Sequence, residues 1–263
     1  MTLPDLSAQD IFYNDGIKGI AQTQVNAQLA YKLFYAFADL TGGQRFLIAY
    51  DFRDFSKQLF QVIATAASHS NKKLISLGQV PYDMFQYLNG SGEYDGAIFI
   101  SPQHGERYWA GFKFFYKNNF EVDYLELKKR IETSDIHFDP NSLIDVSNYE
   151  TLNIDKDYFF HTIKNVDPLS WKDINLVVDA GNGLGGYKLR KFLSQIPQIK
   201  EFTINSEPNE FFPHHVPNPL VPENNRKLMN KIAKEKAKFG VSLDQDGNSL
   251  LFIDENGRLI NPN

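Results

Sequence analysis

Alternating oxygen-bearing side chains in the segment 244–248 could hold a hard metal ion. Asp244, Asp246 and Asn248 stand at every second position, and carboxylate and amide oxygens are the ligands that Mg²⁺ and Ca²⁺ prefer. A calcium loop would require glycine at its sixth position, where Ser249 stands. The same pattern is typical of a polar turn between two strands, so both interpretations stay open at this point.

A second polar segment, 101–113, carries a hydroxyl, an imidazole and an ammonium group. Ser101, His104 and Lys113 fall within it, after an apolar run that ends at Ile100. Polar groups that follow a strand of a parallel sheet lie outside its carboxyl edge, where α/β proteins bind ligands. A long polar connection in which His104 only hydrogen-bonds locally would show the same pattern.

Three glycines, Gly181, Gly183 and Gly186, follow the G-x-G-x-x-G pattern of dinucleotide sites. The acidic residue that binds a ribose in such sites ends the next strand, whereas Glu201 precedes that strand. A nicotinamide-binding oxidoreductase is therefore kept only as an alternative. The competing interpretation is that the glycines let this turn approach another backbone closely.

The elements that must position these segments alternate between helices and strands. Apolar spacing predicts a helix over 25–42 and strands at 46–50, 74–77 and 94–100, with helices between the strands. The alternation resumes after polar turn residues at 139–142. The predicted fold class is therefore α/β, with two tandem domains that each contain a mixed, mostly parallel sheet covered by helices. We place the domains at 1–150 and 151–263.

Composition excludes several function classes. The 263 residues carry a formal net charge of -5 and no cysteine, which excludes disulfides, thiolate metal sites and a cysteine nucleophile. The acidic balance argues against a nucleic-acid partner. The sequence has no basic, apolar leader and no run of roughly 18 apolar residues, so we expect a cytoplasmic protein with no membrane partner.

Five segments, taken in order, resemble motifs of the α-D-phosphohexomutase family, the phosphomannomutases and phosphoglucomutases. The segment 12–19 is similar to FGTDGIRG, 51–56 to DTRxSS, 78–81 to the start of GxxPTP, 177–186 to VVDxGNGxGG and 212–224 to FPxHxPNPxxPEN. The resemblance covers almost the whole chain but only about the first half of the family's length. It implies the family's first two domains, phosphoryl transfer on hexose phosphates, and a partner chain or C-terminal domains to complete the enzyme.

The resemblance also implies roles for the segment 100–113, which corresponds to the family's phosphoserine loop. The family's phosphoryl-carrying serine corresponds to Gln103, whose amide cannot carry a phosphoryl group, and the family's histidine corresponds to His104. Ser101 stands at a threonine position of the family and is the alternative phosphate acceptor. These departures imply that the chain has lost the usual nucleophile.

For the substrate, the resemblance implies binding of a hexose phosphate by Lys18, Arg53 and Lys113. Lys18 replaces the family's usual arginine. It keeps the positive charge but cannot form the planar, bidentate contact of a guanidinium group.

For the metal, the resemblance assigns Asp244, Asp246 and Asn248, with Ser249 where the family has arginine. One of three carboxylates is missing, and the site charge falls from about -5, which includes a phosphoserine, to about -2. We therefore expect Mg²⁺ to bind weakly or not at all.

The predicted function follows from these departures. Positioning and electrostatic stabilisation supply most of the catalysis of phosphoryl transfer. The sequence therefore predicts a diverged, catalytically impaired relative that keeps a sugar-phosphate cleft or has an interaction role. The alternatives are an active phosphohexomutase that uses Ser101 or a partner chain, and the oxidoreductase.

Overall fold

The computed structural model describes residues 10–102, 107–147 and 149–260. The chain divides into two compact units. The first contains the residues up to Gln79 and Phe85–Leu152, and the second contains Val80–Met84 and the residues from Asn153 onward. Each unit has one mixed sheet with helices, which confirms the predicted α/β class.

The sheet of the first unit has six strands within the described residues, in the order β1-β2-β6-β5-β3-β4. Strands β3, β4 and β5 are parallel to one another, and the other neighbours are antiparallel. The strands are β1 (Phe12–Tyr13), β2 (Gly16–Ile20), β3 (Arg45–Tyr50), β4 (Lys73–Gln79), β5 (Gly96–Ile100) and β6 (Trp109–Tyr116). The helices up to residue 132 are α1 (Ala27–Thr41), α2 (Asp54–His69), α3 (Tyr82–Asn89) and α4 (Tyr124–Glu132).

Aromatic rings fill much of the core of the first unit. Phe37 lies with its ring centroid 5.6 Å from that of Phe46 and 4.9 Å from that of Phe114, and all three side chains are fully buried. Edge-to-face ring pairs of this kind add to the free energy gained by burying their area. The phenylalanine content of the sequence therefore serves packing in this unit.

The sheet of the second unit has five strands within the described residues, in the order β11-β10-β9-β7-β8. Strand β7 is parallel to β8 and β9, whereas β10 is antiparallel to β9 and β11. The strands are β7 (Ile174–Asp179), β8 (Ile199–Ile204), β9 (Phe239–Leu243), β10 (Leu250–Asp254) and β11 (Leu259–Ile260). The helices from residue 155 onward are α5 (Asp155–Ile163), α6 (Leu184–Leu193) and α7 (Arg226–Glu235).

The structure corrects part of the sequence-based expectation for 100–113. Residues 109–113 belong to β6 and are not loop. The sequence of β6, WAGFKFFY, is largely apolar and is buried along most of its length. The polar residues before β6 and the lysine within it obscured the apolar pattern by which the sequence would have predicted this strand. Among the described residues, no helix has the length and apolar character to cross a bilayer.

Candidate functional site

In the first unit, Lys18 on β2 and Lys113 on β6 lie on the same face of the sheet. Lys18 stands opposite Gly111 in the antiparallel ladder, and the same register places Lys113 opposite Gly16. Directly opposed residues of antiparallel strands point to one face. A Cβ added to Gly16 would lie 3.5 Å from Cγ of Lys113 and 3.9 Å from Cε of Lys18. The sheet therefore brings two cationic side chains next to each other.

Two carboxylates accompany these lysines. Lys18 Nζ lies 3.0 Å from Oδ2 of Asp15, and Lys113 Nζ lies 3.4 Å from Oε1 of Glu121. Burial raises the pKa of Asp15, but the hydrogen bond and charge of Lys18 and the charge of Lys113 outweigh it, so this pKa is lowered. The Asp15 side chain is 58% exposed. An anion that binds Lys18 would therefore compete with the Asp15 carboxylate, which has room to turn toward solvent.

Ser101 lies in the same row of the sheet. Its N–H donates to the carbonyl of Gly111 at 3.1 Å, which continues the ladder of β5 and β6. A Cβ on Gly111 would lie 2.5 Å from the carbonyl oxygen of Ile17 and 3.0 Å from that of Ser101. Only glycine at position 111 allows the backbones of Ile17 and Ser101 to approach β6 this closely from its two sides. Ser101 is 1% exposed, so its hydroxyl lies beneath the surface.

Arg53 occupies a buried position at the N-terminus of α2. It is 1% exposed, and its guanidinium group forms an ion pair with Asp51. Asp51 also accepts the Arg53 N–H at 3.0 Å and donates its own N–H to the carbonyl of Ile100. The pair therefore ties the end of β3 to the end of β5. Arg53 exposes little surface to a ligand, unlike Lys18.

Two sequence-predicted site residues, Gln103 and His104, lie outside the described residues. Their assignment to the nucleophile and histidine positions of the family therefore stays a prediction.

In the second unit, the loop 244–248 connects β9 to β10. Asp244 and Asp246 are buried, whereas Asn248 is exposed. Oδ1 of Asp244 accepts the N–H groups of Asn248 and Ser249 at 3.0 and 3.2 Å, as expected for a polar turn. The described part of the chain contains no group of three or more acidic or histidine side chains placed to hold a metal ion. The candidate ligands in this loop are two carboxylates and one amide, and we derive no step through a metal.

The glycine-rich turn before α6 packs directly against this loop. A Cβ on Gly183 would lie 2.3 Å from Cα of Gln245, and one on Gly185 would lie 2.4 Å from Cα of Gly247. The N–H groups of Leu184 and Gly185 point to the carbonyl of Gln245 at 2.8 and 3.4 Å. Because a pyrophosphate would need these N–H groups, the contact argues against a nicotinamide here. The glycines allow close backbone approach, as the competing interpretation proposed.

Sequence reasoning missed a polar cluster around Asp179 at the end of β7. Oδ2 of Asp179 lies 3.1 Å from Nε2 of His215, and Oδ1 accepts the Gly181 N–H and the Asn205 amide. His215 and Asp179 are 36 positions apart. The density of asparagine and histidine between 205 and 218 was the available signal of a polar network.

The environment of His215 favours its charged form. The hydrogen bond to Asp179 is the main cause that raises the pKa of His215. Burial acts in the opposite direction, the Val216 carbonyl adds to the increase, and the charge of Lys227 opposes it.

Comparison with known proteins matches the chain to two family profiles. They are "Phosphoglucomutase/phosphomannomutase, alpha/beta/alpha domain I" over residues 9–134 and "domain II" of the same family over residues 156–257. A phosphoglucosamine mutase of Clostridium beijerinckii is 29% identical over 263 residues, which cover 95% of this chain and 57% of that protein. A phosphomannomutase of Vibrio cholerae is 22% identical, with 93% and 55% covered.

A solved structure shares the fold. It is a phosphoglucomutase/phosphomannomutase family protein from Burkholderia thailandensis, with a TM-score of 0.83, 24% identity and coverage of 97% of this chain and 57% of that one. The chain thus spans somewhat more than half the length of these relatives.

Proposed function

The chain belongs to the phosphoglucomutase/phosphomannomutase family, and we propose that it binds a hexose phosphate through Lys18 and Lys113 without converting it by itself. Its two matched regions are domains I and II of that family. The relatives named above are mutases of sugar phosphates. Family membership therefore supports a ligand of this chemical class.

The observation that carries the proposal is the pairing of Lys18 and Lys113 beside Gly16. A phosphate group carries up to two negative charges and needs several convergent donors. Two ammonium groups on one sheet face supply that charge, although each acts as a point charge and not as a bidentate clamp. Because Asp15 and Glu121 already accompany the lysines, a ligand must displace them, and we expect modest affinity.

The proposed lack of turnover is supported by the residues that depart from the family. The resemblance assigns Gln103 to the position of the phosphoryl-carrying serine and Asn248 to that of a metal-binding carboxylate, and the proposal rests on both assignments. Transfer of a phosphoryl group depends on a positioned acceptor and on stabilisation of charge. We propose that the chain lacks both and that any Mg²⁺ it binds is held weakly.

The test is a titration of the protein with glucose 6-phosphate, in which isothermal calorimetry measures the affinity. Lys113→Met keeps most of the buried aliphatic stem and removes the charge, so we expect affinity to fall about tenfold. Lys117→Met is the matched control, because Lys117 is exposed just beyond β6. Affinity should be unchanged in this control. Equal affinity for wild type and Lys113→Met would overturn the proposed site.

The second candidate function is phosphoryl transfer through Ser101. It is favoured by the position of Ser101 across Gly111 from Lys18, which places a hydroxyl in the same row as a cation. A phosphoryl group of glucose 1,6-bisphosphate would then pass to Oγ of Ser101, with release of a glucose monophosphate and the hydroxyl proton. The adduct would be visible by intact-mass spectrometry. Ser101→Ala would abolish that adduct. A mutase completed by a partner chain stays a prediction.

A further inference from the structure

The segment 205–221, which we call the His215 segment, contains neither helix nor strand over its whole described length. It is attached to the turn 179–182 by polar contacts. The N–H of Asn182 donates to the carbonyl of Asn205 at 2.8 Å, and the N–H of Asn209 donates to the carbonyl of Asn182 at 2.9 Å. The side-chain amide of Asn182 donates to the carbonyl of Glu207 at 2.9 Å. One turn therefore holds much of this segment.

Among the residues that join the His215 segment to the turn 179–182, His215 is the one that can carry a positive charge. Its Nε2 faces Oδ2 of Asp179 at 3.1 Å, and its Nδ1 faces the carbonyl of Val216 at 3.0 Å. A carboxylate and a carbonyl only accept hydrogen bonds, so the doubly protonated ring satisfies both contacts, whereas a neutral ring could keep the Val216 contact only by accepting at Nε2 from the Asn205 amide, 3.3 Å away. Asp179 is fully buried, and a buried carboxylate is stable only with such donors around it.

The same turn also packs against the end of β9, directly before the loop 244–248. A Cβ on Gly181 would lie 2.9 Å from the carbonyl oxygen of Leu243 and 3.1 Å from Cβ of Pro217. Gly181 is thus enclosed between the His215 segment and the end of β9, from which the loop 244–248 continues. Just after the turn, the Leu184 N–H donates to the carbonyl of Gln245 in the loop. The turn and the loop are therefore linked through Leu243 and through the first residue of α6.

We propose that His215 is a positioning residue, which fastens the His215 segment to the turn 179–182 and through that turn holds the backbone of the loop 244–248 in place. The proposal concerns the second unit and does not depend on the anion site of the first. It makes the loop sensitive to the charge on one imidazole ring.

The groups that face His215 determine the direction of the pH effect. Asp179, at the end of β7, favours the charged ring, Lys227 on α7 disfavours it, and the Asn205 amide is neutral. The neighbouring His214 bonds instead to Oδ1 of Asn182. Because the pKa of His215 is raised in the folded chain, its stabilisation is complete below the ordinary histidine value of about 6.5. That stabilisation is lost as pH rises through the raised pKa.

The test is amide hydrogen exchange followed by NMR over a pH series, corrected for the intrinsic exchange rate. The informative amides are those of Leu184, which donates to the loop carbonyl of Gln245, and of Asn248 and Ser249, which donate to Asp244 within the loop. We expect their protection to fall about tenfold as His215 loses its proton. The pKa of His215 is read from its ring nitrogen shifts in the same samples.

Three variants separate positioning from general stability. His215→Gln keeps a donor without charge, and we expect low protection at every pH. His215→Lys keeps a permanent charge and should restore protection without the pH dependence. His161→Gln removes an exposed histidine of α5 in the same unit and should leave the wild-type profile.

Three results would overturn the proposal. The first is a His215 pKa at or below the ordinary value, and the second is a pH profile that persists in His215→Gln. The third is a loss of protection that is confined to 205–221 and does not reach the loop. The wild-type pH series provides the first and third results even where a variant fails to fold.

Discussion

The Lys18–Asp15 pair of the first unit and the carboxylates Asp179 and Asp244 of the second unit lie in opposite environments. In the first unit, Lys18 is partly exposed beside Asp15, whose side chain is 58% exposed. In the second unit, Asp179 and Asp244 are fully buried, and their oxygens accept hydrogen bonds from backbone N–H groups. An exposed ion pair contributes little to stability and can exchange its partner for a ligand. A buried carboxylate that loses its donors destabilises the fold.

Because of this difference, we expect some mutations to change ligand affinity and others to change stability. Changes at Lys18 and Asp15 should alter ligand affinity with little effect on folding, whereas a change at Lys113, whose side chain is only 10% exposed, should affect both. Changes around Asp179 and the glycine-rich turn should alter the stability of the second unit. The buried Asp51–Arg53 pair of the first unit is the exception, because its loss should affect stability and not affinity.

Asp51→Ala should have the largest effect. It removes the Asp51 carboxylate from the Arg53 guanidinium, which is 1% exposed. Breaking a buried ion pair in this way costs about 3–5 kcal/mol. Urea unfolding of the first unit measures the loss. Asp15→Ala, which breaks an exposed pair with Lys18, is the control and should cost about 1 kcal/mol or less. Equal costs would show that the Asp51 pair is not structural.

Gly183→Ala should have the next largest effect, on the second unit. The added methyl group would lie 2.3 Å from Cα and 2.4 Å from the carbonyl oxygen of Gln245, so the turn and the loop must separate. We expect a loss of about 3 kcal/mol in the free energy of unfolding. Thermal and urea unfolding of the second unit provide the measurement.

The matched control for that substitution is Gly42→Ala. Gly42 ends α1 with a φ of 63°, and a Cβ there would meet nothing within 4 Å. This control should cost only about 1 kcal/mol, from backbone strain. If Gly183→Ala lowered the free energy of unfolding no more than Gly42→Ala, the turn and the loop would not be closely packed in solution.

Asp15→Asn should have the smallest effect and sharpens the account of the first unit. Removing the charge that competes for Lys18 should raise the affinity for the sugar phosphate about threefold. This change corresponds to the small free energy that an exposed ion pair contributes. Calorimetry with glucose 6-phosphate measures it. Asp10→Asn is the control, because Asp10 pairs with Lys128 instead, and its affinity should match wild type. Unchanged affinity in Asp15→Asn would mean that Asp15 does not compete with the ligand.

The sequence predicted the elements whose apolar spacing is regular. The helix expected over 25–42 is α1, and the strands expected at 46–50 and 94–100 correspond to β3 and β5. Strand β2 was missed because GIKGI contains two glycines, which weaken a strand pattern. Helix α7 ends at Glu235, because Lys236 adopts a left-handed conformation with a φ of 49°.

The candidate site was less accessible to sequence reasoning. Lys18 and Lys113 could be singled out only by motif position, because their proximity depends on the register of β2 with β6. The contact of Asp179 with His215 joins a strand end to an irregular segment. Neither the period of a helix nor that of a strand encodes such a contact.

The most direct test of the central claim, binding without conversion, is ³¹P NMR of the chain with Mg²⁺, glucose 1-phosphate and a catalytic amount of glucose 1,6-bisphosphate. We predict a broadened or shifted glucose 1-phosphate signal that reverts in Lys113→Met, with no glucose 6-phosphate formed. Formation of glucose 6-phosphate by the wild-type chain, or a ligand signal that the protein leaves unaltered, would contradict the account.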